Sequence, residues 1–248
     1  MVRQSFPVTR RAAKLASMVN HANASAFQSA ERNSSLLKGM WVVFGLLVFA
    51  LAFIRLGSEI GEGETTQFDT TILIYAQSYR GYHTWVAEVM RDLSGIGSTV
   101  SLTLITVLTV AYLAIFRKKR LALLVASAVL SGTLLVSVFK ANFGRARPDA
   151  KYAEFLVSGW SFPSGHASMS AIVFLTLGTL IASTRANRFE RAFIIAAAAT
   201  LAGLVGLSRI ALGVHYATDV LGGWAFGTSW AIAWLLVANW VSSHSTME

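Results

Sequence analysis

Residues 121–139 read LALLVASAVLSGTLLVSVF, a stretch of 19 residues without a single charge. A helix of about 20 apolar residues is long enough to cross the hydrocarbon core of a bilayer. Five other stretches resemble this one in length and hydropathy, so the pattern predicts an all-α, polytopic membrane protein with a six-helix bundle. The predicted spans are Leu36–Ile54, Ile96–Phe116, Leu121–Phe139, Ala167–Thr184, Ala192–Ser208 and Val220–Val241.

The composition supports the same class. Of the 248 residues, 54% are hydrophobic and only 13% are charged, whereas soluble domains carry about 25% charged residues. The net charge of +9 is spread over short clusters between the apolar stretches, which is typical of membrane orientation signals, so we expect no nucleic-acid partner. Cysteine is absent, which excludes a disulfide framework and a thiolate metal site.

The basic residues predict how the chain is oriented. With the N-terminus in the cytoplasm, 13 of the 21 Lys and Arg residues fall on the cytoplasmic side, as the positive-inside rule requires. We therefore expect a multi-pass protein of the cell (inner) membrane with both termini in the cytoplasm. The predicted parts are a basic tail (1–35), a membrane domain (36–241) and a short C-terminus (242–248).

The segment between the first two spans, residues 57–95, is too polar to cross a membrane. Large apolar side chains nevertheless recur in it at helical spacing, which predicts a short amphipathic segment at the membrane interface. A role in gating substrate access is the weaker alternative. The fifth span is rich in Ala and Gly, so we expect it inside the bundle. The recurring residues are Phe68, Ile72, Tyr75 and Tyr79, followed by Trp85, Val89 and Leu93.

Three polar clusters lie at the ends of predicted spans, all on the non-cytoplasmic side. Ionisable residues at such positions are functional candidates because their burial is costly. The first cluster is KANFGRARP, from Lys140 to Pro148; the second is PSGH, from Pro163 to His166. The third comprises Ser208, Arg209, His215 and Asp219.

The residue types in these clusters suit a phosphate group. Lys140, Arg147 and Arg209 supply three cations for the charge on the oxygens of a transferring phosphoryl group. Ser164 and Gly165 open the fourth span, where unpaired backbone N–H groups bind anions. Gly165 permits close approach, and the Ser164 hydroxyl offers another donor.

The two histidines predict a division of catalytic work. His215 and Asp219 are four residues apart, so they share one face if the helix already begins there. Asp219 would then accept a proton from one imidazole nitrogen and leave the other to attack phosphorus. His166 lies beside the predicted phosphate site and suits a general acid that later activates water.

The three clusters closely resemble the signature of the type-2 phosphatidic acid phosphatase superfamily, which reads K-x6-RP, PSGH and SR-x5-H-x3-D. The resemblance extends from about Ile96 to Val241 and implies the same roles for the residues named above, with Pro148, Pro163 and Ser208 in support. It implies hydrolysis of a lipid phosphate or diphosphate through a phosphohistidine. Undecaprenyl diphosphate, phosphatidylglycerophosphate, phosphatidate and lipid A phosphate are all compatible with the family.

Three other functions remain open at this stage. A lipid phosphotransferase would use the same intermediate, whereas a transporter or flippase would need no nucleophile. A haloperoxidase would place vanadate where a lipid fits. The sequence has no H-E-x-x-H motif and no dense carboxylate cluster, so we expect no metal and no cofactor. The oligomeric state is not predicted.

Several charged residues have simpler interpretations. We interpret His83 and His244 as interfacial polar residues. Long basic side chains at span ends usually extend toward the headgroups, and we assign four of them this role. Arg145 lies close to Arg147, but the proline of the motif marks Arg147, so we interpret Arg145 as a peripheral contact. The four basic residues are Arg55, Arg80, Arg91 and Lys151.

Overall fold

The computed structural model describes residue 37 and residues 39–244, with side chains to residue 241. The predicted tail (1–35), the last four residues and the side chain of His244 lie outside this part. The described chain is helical, with a single 3-10 turn at Ala150–Tyr152. Its helices are α1 (Gly39–Glu62), α2 (Thr66–Tyr82), α3 (Thr84–Ile96), α4 (Thr99–Ile115), α5 (Lys119–Phe143), α6 (Gly165–Ser183), α7 (Arg188–Ala211) and α8 (Ala217–His244).

The six predicted spans are confirmed: six helical segments of the described chain are long and apolar enough to cross a membrane. The second of them is longer than predicted because α3 precedes α4 in one segment of 32 residues. The two helices are separated at Gly97, where a β-carbon would lie 2.1 Å from Val205 Cγ1. Ser98 then begins α4 by accepting a hydrogen bond from the Ser101 N–H.

All packing described below lies within the compact unit Gly45–Glu248. Its central helix is α6, which packs against α7, α8 and α5. The expectation that α7 lies inside the bundle is met only in part: α7 packs against α6, α3, α8 and α2, but 33% of its most apolar stretch is buried, compared with 50% for α6. The small residues of α7 serve one face only, because Ala198 packs on Gly178 and Gly206 on Trp224, while the opposite face is exposed.

The segment between the first two spans forms α2 and most of α3, joined at His83. The predicted aromatic side chains of this segment are exposed, including Phe68, Tyr75 and Trp85. Asp69, by contrast, is fully buried, as is Leu73 one turn later. The two helices thus have the amphipathic character that the spacing predicted, although their depth relative to a bilayer stays a prediction.

Antiparallel packing brings the ends of four helices together. These are the C-terminal ends of α5 and α7 and the N-terminal ends of α6 and α8, which carry the three polar clusters. Gly144 ends α5 in a left-handed conformation (φ 55°). Gly213 (φ 69°) turns the chain from α7 to α8, and a β-carbon there would lie 1.9 Å from the Tyr152 carbonyl oxygen.

Candidate active site

The centre of the site is a buried pair, His215 and Asp219. His215 Nδ1 lies 3.2 Å from Asp219 Oδ2. The helix begins only at Ala217, so the predicted shared helical face does not form. Instead the Asp219 carboxylate turns back over the start of α8, where its Oδ2 accepts the Tyr216 N–H at 3.0 Å. One carboxylate oxygen therefore both begins the helix and holds the histidine.

The contacts of His215 determine which of its nitrogens carries the proton. Arg147 Nη1 lies 3.1 Å from His215 Nε2, and a guanidinium group only donates hydrogen bonds. Nε2 is therefore the unprotonated acceptor, and Nδ1–H donates to Asp219. Burial lowers the pKa of the His215 imidazole to about 4, against the opposing effect of Asp219. With this pKa the imidazole is neutral near pH 7, and the lone pair of Nε2 accepts a hydrogen bond from the Arg147 guanidinium.

Ser161 is a third member of this arrangement that the sequence did not predict. Its hydroxyl donates to Asp219 Oδ2 and lies 3.3 Å from His215 Nδ1. The side chain is fully buried. Ser161 lies two residues before Pro163, just outside the PSGH motif, and a single serine there carries no periodic or motif signal.

Two of the predicted cations hold the loop that precedes α6. Arg147 donates from Nε to the Gly159 carbonyl and from Nη1 to the Val214 carbonyl, both at 2.9 Å. Lys140, in the last turn of α5, donates from Nζ to the Trp160 carbonyl at 2.6 Å. Both side chains thus join the loop to neighbouring segments and keep positive charge beside His215.

The N-terminus of α6 forms another wall of the site. Ser164 is its N-cap residue, and the Ser164 N–H donates to the Asp219 backbone carbonyl at 3.0 Å. A β-carbon on Gly165 would meet only Lys140 Cε, at 3.8 Å, so the space in front of Gly165 is not filled by protein. The helix start therefore has the open approach that an anion requires.

Arg209, the third predicted cation, lies in the last turn of α7 and is 3% exposed. Its Nη1 donates to Ser94 Oγ of α3 at 2.5 Å, a partner that the sequence did not predict. In the part of the chain with described side chains, three buried side-chain polar atoms lack a hydrogen-bond partner, and two of them belong to Arg209 (Nε) and Ser164 (Oγ). Such atoms are costly unless a ligand satisfies them.

His166 lies in the first turn of α6, within electrostatic range of His215, Arg147 and Arg209. Together with Lys140 it lines a cavity of about 260 Å³ between α4, α5 and α6. Away from these two residues and Gly165, the wall is largely apolar. It includes Leu102, Val129, Val136 and Met169. The polar site therefore continues into an apolar cleft among membrane-spanning helices.

The three supporting residues of the motifs, Pro148, Pro163 and Ser208, are buried. The Ser208 hydroxyl donates to the Val205 carbonyl at 2.6 Å, so its hydrogen bond is made within its own helix.

Two predictions about other arginines are wrong. Arg145 is not a peripheral contact, because its Nη1 donates to Asp219 Oδ1 at 2.6 Å. Arg80 does not extend toward solvent: its side chain is 10% exposed and pairs with Glu154 at 3.2 Å. It also donates to the Tyr152 carbonyl at 2.8 Å. Both arginines have partners more than 70 positions away in the chain, which local sequence patterns do not report.

The donor set of the site suits an anion. Among the residues that the structure describes, no group of three or more His, Cys, Asp and Glu side chains lies close enough to hold a metal ion. The buried carboxylates Asp69 and Asp219 both bind Arg145 at 2.6–2.7 Å. The groups that remain for a ligand are the cations, the Ser164 hydroxyl and the start of α6.

Comparisons with known proteins place the chain in a recognised family. The model of the PAP2 superfamily matches residues 120–243. Phosphatidylglycerophosphatase B of Bacillus subtilis is 34% identical over 147 residues, which is 58% of this chain and 70% of the relative. A lipid A 1-phosphatase of Rhizobium etli is 35% identical over 115 residues, 43% of this chain and 45% of the relative.

A solved structure shares the fold. The crystal structure of a transmembrane PAP2-type phosphatidylglycerolphosphate phosphatase from Bacillus subtilis superposes with a TM-score of 0.73 at 28% identity. The match covers 79% of this chain and 96% of that one.

Proposed function

Because the chain belongs to the PAP2 superfamily, we propose that it removes phosphate from a membrane lipid through a phosphohistidine formed on His215. The resemblance that the three motifs indicated is confirmed at the level of the family, and the chain is a membrane phosphatase by that membership. The substrate, the intermediate and the membrane face belong to the proposal.

The observation that carries the proposal is the juxtaposition of a nucleophile with an anion site. The lone pair of His215 Nε2 lies 3.1 Å from the Arg147 guanidinium. Arg209 and Ser164 each keep one buried donor atom without a protein partner in the described part of the chain. A phosphate oxygen held by these groups would place the phosphorus beside Nε2.

The proposed first step is displacement at phosphorus. Nε2 of His215 forms the N–P bond as the bond from phosphorus to the lipid oxygen breaks, and His166 protonates that oxygen. The proton on Nδ1 stays in place, so the phosphorylated ring is cationic and Asp219 stabilises it. Lys140, Arg147 and Arg209 neutralise the charge on the phosphoryl oxygens.

In the second step the phosphohistidine is hydrolysed. His166, now neutral, removes a proton from water; the water oxygen bonds to phosphorus, and the N–P bond breaks. Inorganic phosphate leaves, and both histidines return to their first protonation states. Transfer to a second lipid hydroxyl instead of water would make the enzyme a phosphotransferase, the alternative that uses the same intermediate.

A lipid substrate is favoured by the cavity next to His166. Its apolar wall lies between α4, α5 and α6, where the first carbons of a lipid would remain within the bundle while the phosphate reaches Lys140. The two relatives, a phosphatidylglycerophosphatase and a lipid A 1-phosphatase, add phosphatidylglycerophosphate and lipid A as candidate substrate classes. A transporter would need no buried His–Asp pair, so the dyad of His215 and Asp219 disfavours that function.

We test the function with purified protein in detergent. Phosphate release is expected from phosphatidylglycerophosphate, phosphatidate, lipid A phosphate or undecaprenyl diphosphate. An excess of EDTA should leave the rate unchanged, because the basic side chains of the site take the place of a metal ion. Loss of activity in EDTA, restored by a divalent ion, would refute the metal-independent mechanism. No release from any of the four lipids would refute the proposed substrate class.

The site is proposed to face the non-cytoplasmic side because of the distribution of basic residues. The chain has no cysteine, so single cysteines report sidedness cleanly. Ser158→Cys, in the exposed loop before α6, should react with an impermeant maleimide in intact cells. Ala186→Cys, in the exposed turn between α6 and α7, should react only after the membrane is permeabilised. The reverse pattern would place the site in the cytoplasm.

A further inference from the structure

A buried polar cluster lies behind the catalytic pair, and no motif residue explains it. Arg145 donates from Nη1 to Asp219 Oδ1 at 2.6 Å and from Nη2 to Asp69 Oδ2 at 2.7 Å. Asp69 belongs to α2, well before the region that the family model matches. Asp69 and Asp219 are both 0% exposed. Arg145 thus links the amphipathic helix α2 to Asp219 at the centre of the site.

The second contact of Asp69 is with the start of the helix that carries Asp219. Its Oδ1 accepts the Thr218 N–H at 3.0 Å, and its Oδ2 accepts the Thr218 hydroxyl at 2.6 Å. The N–H groups in the first turn of a helix have no partner within the helix. Asp69 of α2 supplies a partner for the Thr218 N–H, and its negative charge is favourable at the positive N-terminal end of α8. The position at which α8 begins, and hence that of Asp219, depends on α2.

The contacts divide the work of the Asp219 carboxylate between its two oxygens. Oδ2 accepts from His215, Tyr216 and Ser161. Oδ1 accepts from Arg145. Without Arg145 the carboxylate would be held through Oδ2 alone, so the orientation of the His215 ring would be less tightly fixed. Histidine orientation of this kind is commonly set by such outer partners.

The charges point the same way. On the Nδ1 side of His215, two buried carboxylates and one guanidinium carry one net negative charge, whereas the Arg147 guanidinium lies on the Nε2 side. The negative charge on the Nδ1 side would stabilise the His215 ring when it becomes cationic on phosphorylation. A buried ion pair is weak evidence for stability by itself, because desolvation offsets the attraction. The arrangement is better explained by the charge that the reaction creates.

We propose that Asp69 and Arg145 are positioning residues, which orient Asp219 and hold its charge so that His215 is correctly placed for attack and stabilised once phosphorylated. The proposal rests on the function proposed above. The contacts of Arg145 go to Asp69, Asp219, Thr65, Thr218 and the Tyr216 ring, and not to Lys140, Arg147 or Arg209. The loss should therefore appear in kcat rather than in KM.

The experiment uses the full-length enzyme in detergent with one lipid phosphate that the wild type hydrolyses. Asp69→Asn and Arg145→Ala should lower kcat by about 10- to 100-fold, as for other partners that orient a functional histidine, with KM changed less than about threefold. Arg145→Lys should recover part of the loss because it keeps the charge but lacks the fork that reaches both carboxylates.

Chemical rescue separates positioning from folding. Millimolar guanidinium should raise kcat of Arg145→Ala several-fold by replacing the missing group. It should leave Arg91→Ala unchanged, because the Arg91 side chain is 54% exposed and its ion pair is with Glu154, outside the site. Asp92→Asn, at an exposed carboxylate of α3, is the matched control for Asp69→Asn and should keep wild-type kcat.

The outcomes distinguish this proposal from the proposed function. If the wild type is active, His215→Ala is inactive, and the Asp69 and Arg145 variants keep wild-type kcat, the positioning role is refuted and the function stands. The positioning role is also refuted if the variants lose activity only because less monodisperse protein is obtained. In that case kcat per folded molecule would be unchanged, and guanidinium would not rescue Arg145→Ala. If His215→Ala remains active, the function itself is refuted.

Discussion

Replacement of His215 by alanine is expected to abolish phosphate release and leave the fold intact. Loss of a covalent nucleophile costs about 10⁶-fold in well-studied hydrolases. None of the side chains that contact His215 is expected to replace it. Arg147 is only a hydrogen-bond donor, Ser161 offers a hydroxyl, and the Asp219 carboxylate is already bound by the Arg145 guanidinium. In the proposed mechanism the nucleophile is the neutral Nε2, which a pKa of about 4 keeps unprotonated.

The measurement is phosphate release together with trapping of the phosphoenzyme. Wild-type protein quenched in alkali should carry one acid-labile phosphoryl group, and His215→Ala should carry none. His83→Ala is the matched control because His83 is exposed between α2 and α3, and it should keep full activity. A His215→Ala protein that retains a tenth of wild-type turnover would exclude the phosphohistidine mechanism.

Replacement of His166 by alanine should give a loss that depends on the leaving group. An alkoxide leaving from a lipid phosphate needs a proton in the transition state, and general acid catalysis contributes about 10²–10⁴-fold. A p-nitrophenolate leaves without that help. We therefore expect His166→Ala to lose that factor on phosphatidate and far less in the first step on p-nitrophenyl phosphate.

Pre-steady-state kinetics resolve the two steps. With the aryl phosphate, His166→Ala should release a burst of p-nitrophenolate equal to the enzyme concentration, because hydrolysis of the phosphohistidine then lacks its base. His215→Ala should show no burst with either substrate. If His166→Ala loses the same factor in the burst phase on both substrates, His166 is a phosphate ligand and not the general acid.

The two sets of predictions test different parts of the site. His166 lies on the wall of the apolar cavity, where the lipid oxygen would leave, whereas Asp69 and Arg145 lie behind the nucleophile. Leaving-group dependence should therefore appear in His166→Ala and be absent from Arg145→Ala, which weakens attack on every substrate. This contrast distinguishes proton donation from positioning.

The sequence alone determined the membrane class, the six spans and the chemical groups of the site. A membrane span can be identified from its own sequence, because in a bilayer the backbone N–H and C=O groups must form their hydrogen bonds within the helix. The motif residues are equally local: Ser164 and Gly165 start α6, and Lys140 and Arg209 end α5 and α7. Their assignment as phosphate ligands stays a prediction.

Only the tertiary structure decided how the catalytic pair is held. Spacing suggested that His215 and Asp219 share a helical face, but the helix starts after the histidine and the carboxylate reaches back to it. The groups that hold the pair are distant in the chain: Arg145 is 74 positions from Asp219, and Asp69 is 76 positions from Arg145. A hydrogen bond between such residues depends on which helices pack together, and no local periodicity records that choice.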